Sequence, residues 1–574
     1  MKLISIIKSL LRQAADFLGF YIDDEFYKPL YLEAHTQHIA EIQSRLEMPG
    51  LEIDEQASLY WELGRLFADE GDDEMALLNY DRAIALQPDF HKAWNNRGNS
   101  LNKLGRYEEA IKSFDRSLAL QPNDHYAWNN RGISLYELER YEQALESFDR
   151  SLALQPDYHH AWGNRGNSLS KLGRDEEALE SFDRSLALQP NSHYAWGNRG
   201  NSLNNLGRYE QAIAFFDRAI AIKPDDHYAW RNRGISLNNL GRYEEAIESY
   251  DKTLAIQPDD YYAWNNRGNS LNNLGRYEQA LKSLDRAIAI KPDDHYAWNN
   301  RGNSLNKLGR YEEALKSLDK ALAIKPDDHY AWNNRGISLD NLGRYEQALE
   351  SFDRSLALQP DDHSAWVVRG INLDLLERYE EAIESFDRAL AIQPDDYYAW
   401  DSRGCSLNNL ERYEEAIESF DRAVAIQPDD KWAIGNRGYA YLLTQQFDLA
   451  LQDLDRSLEG DSENDWRHYS RALIHRALNN PELAQTDLST AIHLAQTQYE
   501  ESPENWNNTL NLALYHVAAN QPDTAQTLYQ QALSQNAPTD KIKPAIRDLQ
   551  EFLIVFPGNL LAQQTIDLLQ QSAN

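Results

Sequence analysis

The sequence predicts an all-α solenoid of about 14 helix-turn-helix repeats with a helical cap at each end. Three observations carry this. Trp94, Trp128, Trp162, Trp196, Trp230, Trp264, Trp298, Trp332, Trp366 and Trp400 recur every 34 residues. Apolar and small residues within each unit keep helical spacing, as in Trp298, Gly302, Leu305 and then Ala314, Leu315, Leu318, Ala321 and Leu322. The punctuation also repeats, with a Gly-Arg-Tyr turn inside the unit and Gln-Pro-Asp-Asp between units.

Each unit has a first helix through AWNNRGNSLNKL and a second through EEAIKSFDRSLAL. Gly105 can take the left-handed conformation that closes the first helix, and Pro122 blocks extension of the second. Asp pairs such as Asp259 and Asp260 then offer side-chain acceptors to the next helix start. Gly302, Ala314 and Ala321 let the two helices approach, and Trp298 is expected to lie buried against them. Truncating such a Trp costs about 3 to 5 kcal/mol. Neither helix buries its apolar face alone, so neighbouring units must complete each other's core.

The 574-residue chain is 42% hydrophobic and carries a formal charge of -34, which disfavours nucleic-acid phosphates and anionic membranes as partners. Cys405 is the one cysteine, so no intrachain disulfide forms, and a reducing, cytoplasmic location is expected. The opening MKLISIIKSLLRQAADFLGF is interrupted by Lys8 and Arg12 and is too short and charged to span a bilayer. It predicts an amphipathic helix, with Ile4, Ile7, Leu11 and Leu18 opposite Ser5, Lys8, Arg12 and Asp16. Covering the first repeat is the preferred role; recruitment to a membrane surface is the alternative.

Trp, Gly, Ala, Phe, Ala and Pro at the fourth, eighth, twentieth, twenty-fourth, twenty-seventh and thirty-second places resemble the tetratricopeptide repeat. Trp94, Gly98, Ala110, Phe114 and Pro122 carry the likeness in one unit, with Ser117 at the small place. In this frame residues 1–56 form an N-terminal helical cap and 57–464 hold twelve regular repeats. Residues 465–539 hold degenerate repeats, and 540–574 form C-terminal capping helices. The resemblance, to a long array of bacterial type, implies a right-handed superhelix. It also implies a nonenzymatic scaffold that binds a protein or extended peptide in its concave groove.

The seventh place departs from the family, which usually has an apolar residue there: it holds Arg97, Arg131, Arg165, Arg199, Arg233 and so on. The twenty-fifth place holds Asp81, Asp115, Asp149, Asp183 and Asp217. The first unit has Asp81 but Leu63 at the arginine place, so Asp81 must look forward to Arg97. The unit from 465 has Arg471 but Ser489 at the aspartate place, so Arg471 must look back to Asp455. This asymmetry predicts inter-repeat ion pairs, Asp217 with Arg233 among them, each a bidentate fork on its carboxylate.

The sixth place holds Asn96, Asn130, Asn164, Asn198, Asn232, Asn266, Asn300 and Asn334, then Val368, Ser402 and Asn436. The row resembles the asparagine ladder of the repeat arm of O-GlcNAc transferase, which implies amides that hold a peptide by its main chain. The competing reading is a solvated residue copied by duplication. Tyr126, Tyr194, Tyr228, Tyr262, Tyr296 and Tyr330 at the second place add an adaptable contact surface. Arg231 is the lone Arg at the fifth place, which argues against a basic clamp for a terminal carboxylate.

No phosphate loop, nucleophile elbow or metal-ligand cluster appears, and the repeated Asp-His pairs are read as helix caps. No enzyme activity, cofactor or metal is therefore expected. The alternative to groove binding is a structural spacer or adaptor whose partners bind the divergent ends.

Overall fold

The computed structural model describes residues 28–459 and 461–573. The amphipathic helix expected over residues 1–22 lies outside them. Every regular element among the described residues is helical, and the chain divides into two units, one up to Ile290 and one from Lys291.

In the first unit, Lys28–Leu46 packs Ile42 against Leu59, Leu63 and Leu66 of Ile53–Glu70. This second helix starts four residues ahead of the boundary expected at 57. It pairs with Asp73–Leu86, and hairpins of one design follow, such as His91–Lys103 with Tyr107–Leu120 and His125–Glu137 with Tyr141–Leu154. Successive first helices also touch each other, forming a layer.

The joints are built from local chemistry. At the end of His91–Lys103, Gly105 has φ +72°, and the Gly105 and Arg106 N–H groups return to Asn102 and Leu101 at 3.0 and 2.8 Å. Asp124 accepts the Tyr126 and Ala127 N–H groups at the next helix start. Inside the hairpin, the Gly98 notch is filled by Phe114: a Cβ there would lie 2.6 Å from the ring. Each core cluster borrows from the preceding repeat, as Leu77 joins Leu101, Ala110 and Phe114.

The Trp residues are placed differently from the expectation. Trp94 is half-buried, and its indole N–H donates to the Pro88 carbonyl of the preceding repeat at 2.9 Å. Trp128 does the same to Pro122. Phe at the twenty-fourth place is the fully buried anchor, and the Trp ties one repeat to the last turn before it.

The second unit continues with regular hairpins through Lys431–Leu443 and Phe447–Leu458. Asp465–Ala477 then pairs with the longer Pro481–Glu501, Trp506–Ala518 with Pro522–Ser534, and Thr539–Val555 with Leu560–Ala573. One apolar cluster runs from Leu442 to Leu569 through these helices. Thr539–Val555 does more than close the end, because it also packs back on Lys431–Leu443. There the Tyr439 hydroxyl donates to Glu551 Oε2 at 2.5 Å.

Candidate functional site

The arginines lie between repeats. Arg233 Nε is 2.7 Å from Asp217 Oδ1 of the preceding repeat, and Arg97 Nε is 2.6 Å from Asp81. The same link joins Arg131 to Asp115, Arg369 to Asp353 and Arg471 to Asp455. The expected fork on one carboxylate is not the rule. Nη1 of Arg233 turns instead to Ser249 Oγ at 2.7 Å, in its own second helix. That serine, at the twenty-third place, gives its own proton to the Glu245 carbonyl. One guanidinium thus bridges two repeats, which its divergent N–H groups permit and an ammonium's point charge does not.

Departures at the twenty-third place confirm its part. Phe215 replaces the serine under Arg199, whose guanidinium lies 3.9 Å from the ring centroid and takes both Asp183 oxygens. Asp453 and Asp487 replace it in the last two arginine-bearing repeats, and there they take the fork from Arg437 and Arg471. The carboxylate missing from Ser489 is thus supplied two residues earlier, by Asp487, whose place two residues ahead in the sequence was the available signal.

The asparagines also bridge repeats. Asn130, Asn198 and Asn232 donate Nδ2 to Asn99, Asn167 and Asn201 of the preceding repeat at 2.8, 2.8 and 2.9 Å. Asn164 and Asn334 reach Asn129 and Asn299 at 3.1 and 3.0 Å. Asn96 bonds Tyr80, and Asn300 is also engaged. Asn266 differs, since the preceding repeat offers Arg231 and Ile235 in place of acceptors, and no bond to its amide exists among the described residues. A second polar row runs beside the first: Ser134, Ser236 and Ser338 donate to Asn102, Asn204 and Asn306 of the preceding repeat. Much of the polarity of the first-helix face is therefore spent holding repeats in register.

The second-place tyrosines stay exposed, although Tyr228 and Tyr262 flank the Arg231 guanidinium at 5.1 and 5.4 Å. In the first unit Tyr194, Tyr228 and Tyr262 are 68%, 57% and 53% exposed; in the second, Tyr296 and Tyr330 are 55% and 62% exposed. They stand at the starts of successive first helices, beside the amide row. Arg231, the odd residue at the fifth place, is neutralised: Nη1 lies 2.9 Å from Asp260 Oδ2.

In the second unit the fifth and ninth places carry Asp401 and Cys405. Burial pushes the Asp401 carboxyl up to about 6, against the Asn436 amide that donates to it at 3.2 Å. Burial, with Asp401 and Asp374 nearby, holds the Cys405 thiol well above its usual range, so the reactive thiolate is disfavoured. Among the described residues no group of three or more His, Cys, Asp or Glu is placed to hold a metal ion. Nor is any helix there long and apolar enough to cross a membrane.

Comparison with known families matches the chain to the Tetratricopeptide repeat over 91–124, 129–193, 164–227, 198–261, 231–295, 265–329, 333–397 and 397–430. A TPR repeat match covers 64–105. An uncharacterized protein of Methanocaldococcus jannaschii is 41% identical over 54 residues, which are 9% of this chain and 63% of that protein. The chain thus spans less than two thirds of this curated relative's length. Among solved structures, the anaphase-promoting complex hetero-tetramer Cut9-Hcn1 matches at 14% identity and TM-score 0.38, covering 90% of this chain and 96% of that one. YrrB, described as a TPR protein with an unusual peptide-binding site, matches at 25% identity and TM-score 0.29, covering 33% and 96%. A tetratricopeptide repeat protein from Parabacteroides merdae matches at 19% identity and TM-score 0.37, covering 44% and 99%.

Proposed function

This chain belongs to the tetratricopeptide repeat family, and from that premise we propose that it is a nonenzymatic scaffold binding an extended protein segment along its first-helix face. The observation that carries the reading is the row of exposed tyrosines, repeated at the second place of consecutive first helices. A tyrosine offers a large contact area with only two side-chain torsions to order, plus a hydroxyl for bonding, so a row of them suits an adaptable protein contact. The asparagines play a smaller part than their number suggests. Each one that donates to its neighbour retains a second N–H, and Asn266 retains its whole amide.

At about 1 kcal/mol net per hydrogen bond, amides alone barely offset an association cost of about 4 to 15 kcal/mol, so the tyrosines supply most of the affinity. The net charge of -34 favours protein over nucleic acid or anionic lipid as partner. Binding to an array of extended peptides tests the reading. Changing Tyr194, Tyr228 and Tyr262 together to Ala is expected to lower binding at least tenfold, and Asn266→Ala about threefold. Undiminished binding by the triple variant would refute the tyrosine face.

A further inference from the structure

The repeat array contains a cation site already filled from within the chain. The Arg231 guanidinium lies 5.1 Å from the Tyr228 ring and 5.4 Å from the Tyr262 ring. Its Nη1 is 2.9 Å from Asp260 Oδ2. In repeat terms, two consecutive second-place aromatics flank the cation, and the helix-capping Asp at the thirty-fourth place neutralises it. The geometry combines a cation over aromatic faces with a charge-assisted hydrogen bond.

The same arrangement recurs in the second unit with its centre removed. Tyr398 and Trp432 are the second-place aromatics, 50% and 64% exposed, and Asp430 is the capping residue. The fifth place, which holds Arg231 in the filled site, here holds Asp401. A cavity of about 870 Å³ opens among these four residues. No ion pair reaches Asp401 or Asp430 among the described residues. Two cations stand in the cavity wall: Arg467 is bound to Asp461 at 2.9 Å, lies 5.1 Å from the Trp432 ring and also feels Asp430, while Lys431 donates to the Arg456 carbonyl at 2.8 Å. Asp401, which accepts from the Asn436 amide at 3.2 Å, and Asp430, which is within electrostatic reach of Arg467, thus both line an open space.

We infer that Tyr398, Trp432, Asp401 and Asp430 form a receptor for the guanidinium of an arginine side chain on a partner protein segment. The site extends the proposed first-helix binding face by adding a residue preference at one position, and in that sense rests on it. Arginine fits better than lysine because its planar, weakly hydrated group stacks on aromatic rings while keeping N–H groups for both carboxylates. The substitution of Asp for Arg at the fifth place turns a self-filled site into a doubly acidic, open one.

The probe is the capped tripeptide acetyl-Gly-Arg-Gly-amide, with its citrulline counterpart as the neutral isostere. Both are titrated into the full chain labelled with 5-fluorotryptophan, and the fluorine resonance missing from Trp432→Phe identifies the reporter. The arginine peptide is expected to shift that resonance saturably, and the citrulline peptide to bind at least tenfold more weakly. Asp401→Asn should weaken arginine binding at least fivefold, and Asp401→Arg should abolish it by filling the site as Arg231 does. Equal binding of the two peptides, or undiminished binding by Asp401→Asn with an unchanged circular dichroism melt, overturns the inference. The Tyr194, Tyr228 and Tyr262 triple variant should bind the tripeptide normally. Loss of long-peptide binding there, with tripeptide binding retained, separates failure of this site from failure of the tyrosine face.

Discussion

Arg233 Nε stands 2.7 Å from Asp217 Oδ1 one repeat behind it, while Nη1 of the same guanidinium stands 2.7 Å from Ser249 Oγ in its own repeat. The Arg side chain is 20% exposed and the Asp side chain 53%, so the pair falls between a surface ion pair worth at most about 1 kcal/mol and a buried one. A double-mutant cycle of Asp217→Ala and Arg233→Ala is expected to give a coupling of about 1 to 2 kcal/mol. Hydrogen exchange in Tyr209–Ile222 and His227–Asn239 reads it locally. Equal coupling between Asp217 and Arg199 would place the pairing within one repeat.

Glu139 occupies the turn position that Gly105 fills in the repeat before it, and both have positive φ, 58° and 72°. A side chain strains this conformation by about 1 to 2 kcal/mol, which glycine avoids. Glu139→Gly is therefore expected to slow exchange in His125–Glu137 by about five- to tenfold, while Gly105→Glu speeds it in His91–Lys103. Unchanged exchange in both would show that the turn carries no strain.

Burial, reinforced by Glu551 and opposed by Arg547, pushes the Asp548 carboxyl up to about 7. Its folded value lies above its unfolded one, so the folded state binds more protons. The docked helix is most favoured below about pH 4, and its stability falls as pH rises through about 7. Exchange protection of Thr539–Val555 should drop over that range. Asp548→Asn should flatten the profile and gain about 2 to 4 kcal/mol at pH 8. A profile unaltered by the substitution would mean that Asp548 ionises without cost.

Asp401 titrates near 6 because burial outweighs the Asn436 amide, with Asp430 adding to the rise. Cys405 Sγ, 3.4 Å from the same amide, and the Arg467–Asp461 pair complete its surroundings. An arginine peptide needs the carboxylate form, so its affinity should fall as pH is lowered through about 6, and Asp401→Asn should remove that dependence. Fluorine titrations at pH 5 and pH 8 measure it; equal affinity at both for the unaltered chain would contradict the site.

Period, hairpin and joint were all legible before any coordinates. The 34-residue spacing placed a first helix near 93–104 and a second near 108–120, and the structure has His91–Lys103 and Tyr107–Leu120. The unequal ends of the arginine and aspartate series pointed each Arg backward, because a missing partner at one end is information that periodicity itself does not erase. The helix-capping aspartates followed from backbone chemistry alone.

Other features depended on directions in space. Whether Asn232 faces a guest or Asn201 is set by side-chain orientation across a repeat junction, and identical repeats carry both readings equally well. Nothing in the repeat spacing singled out Ser249, whose hydroxyl accepts from Arg233 only because the hairpin brings the two helices together. Trp94 looked like the core residue, yet Phe114 fills the Gly98 notch because it approaches from the opposite helix. The return of Glu551 to Tyr439 spans 112 residues, a separation over which helical periodicity carries no signal. Local sequence thus determined the helices, their caps and the repeat that stacks them. Tertiary packing alone decided which polar groups those stacks consume, as at Asp401 under Asn436, and which, at Tyr194 and Asn266, they leave free of one another.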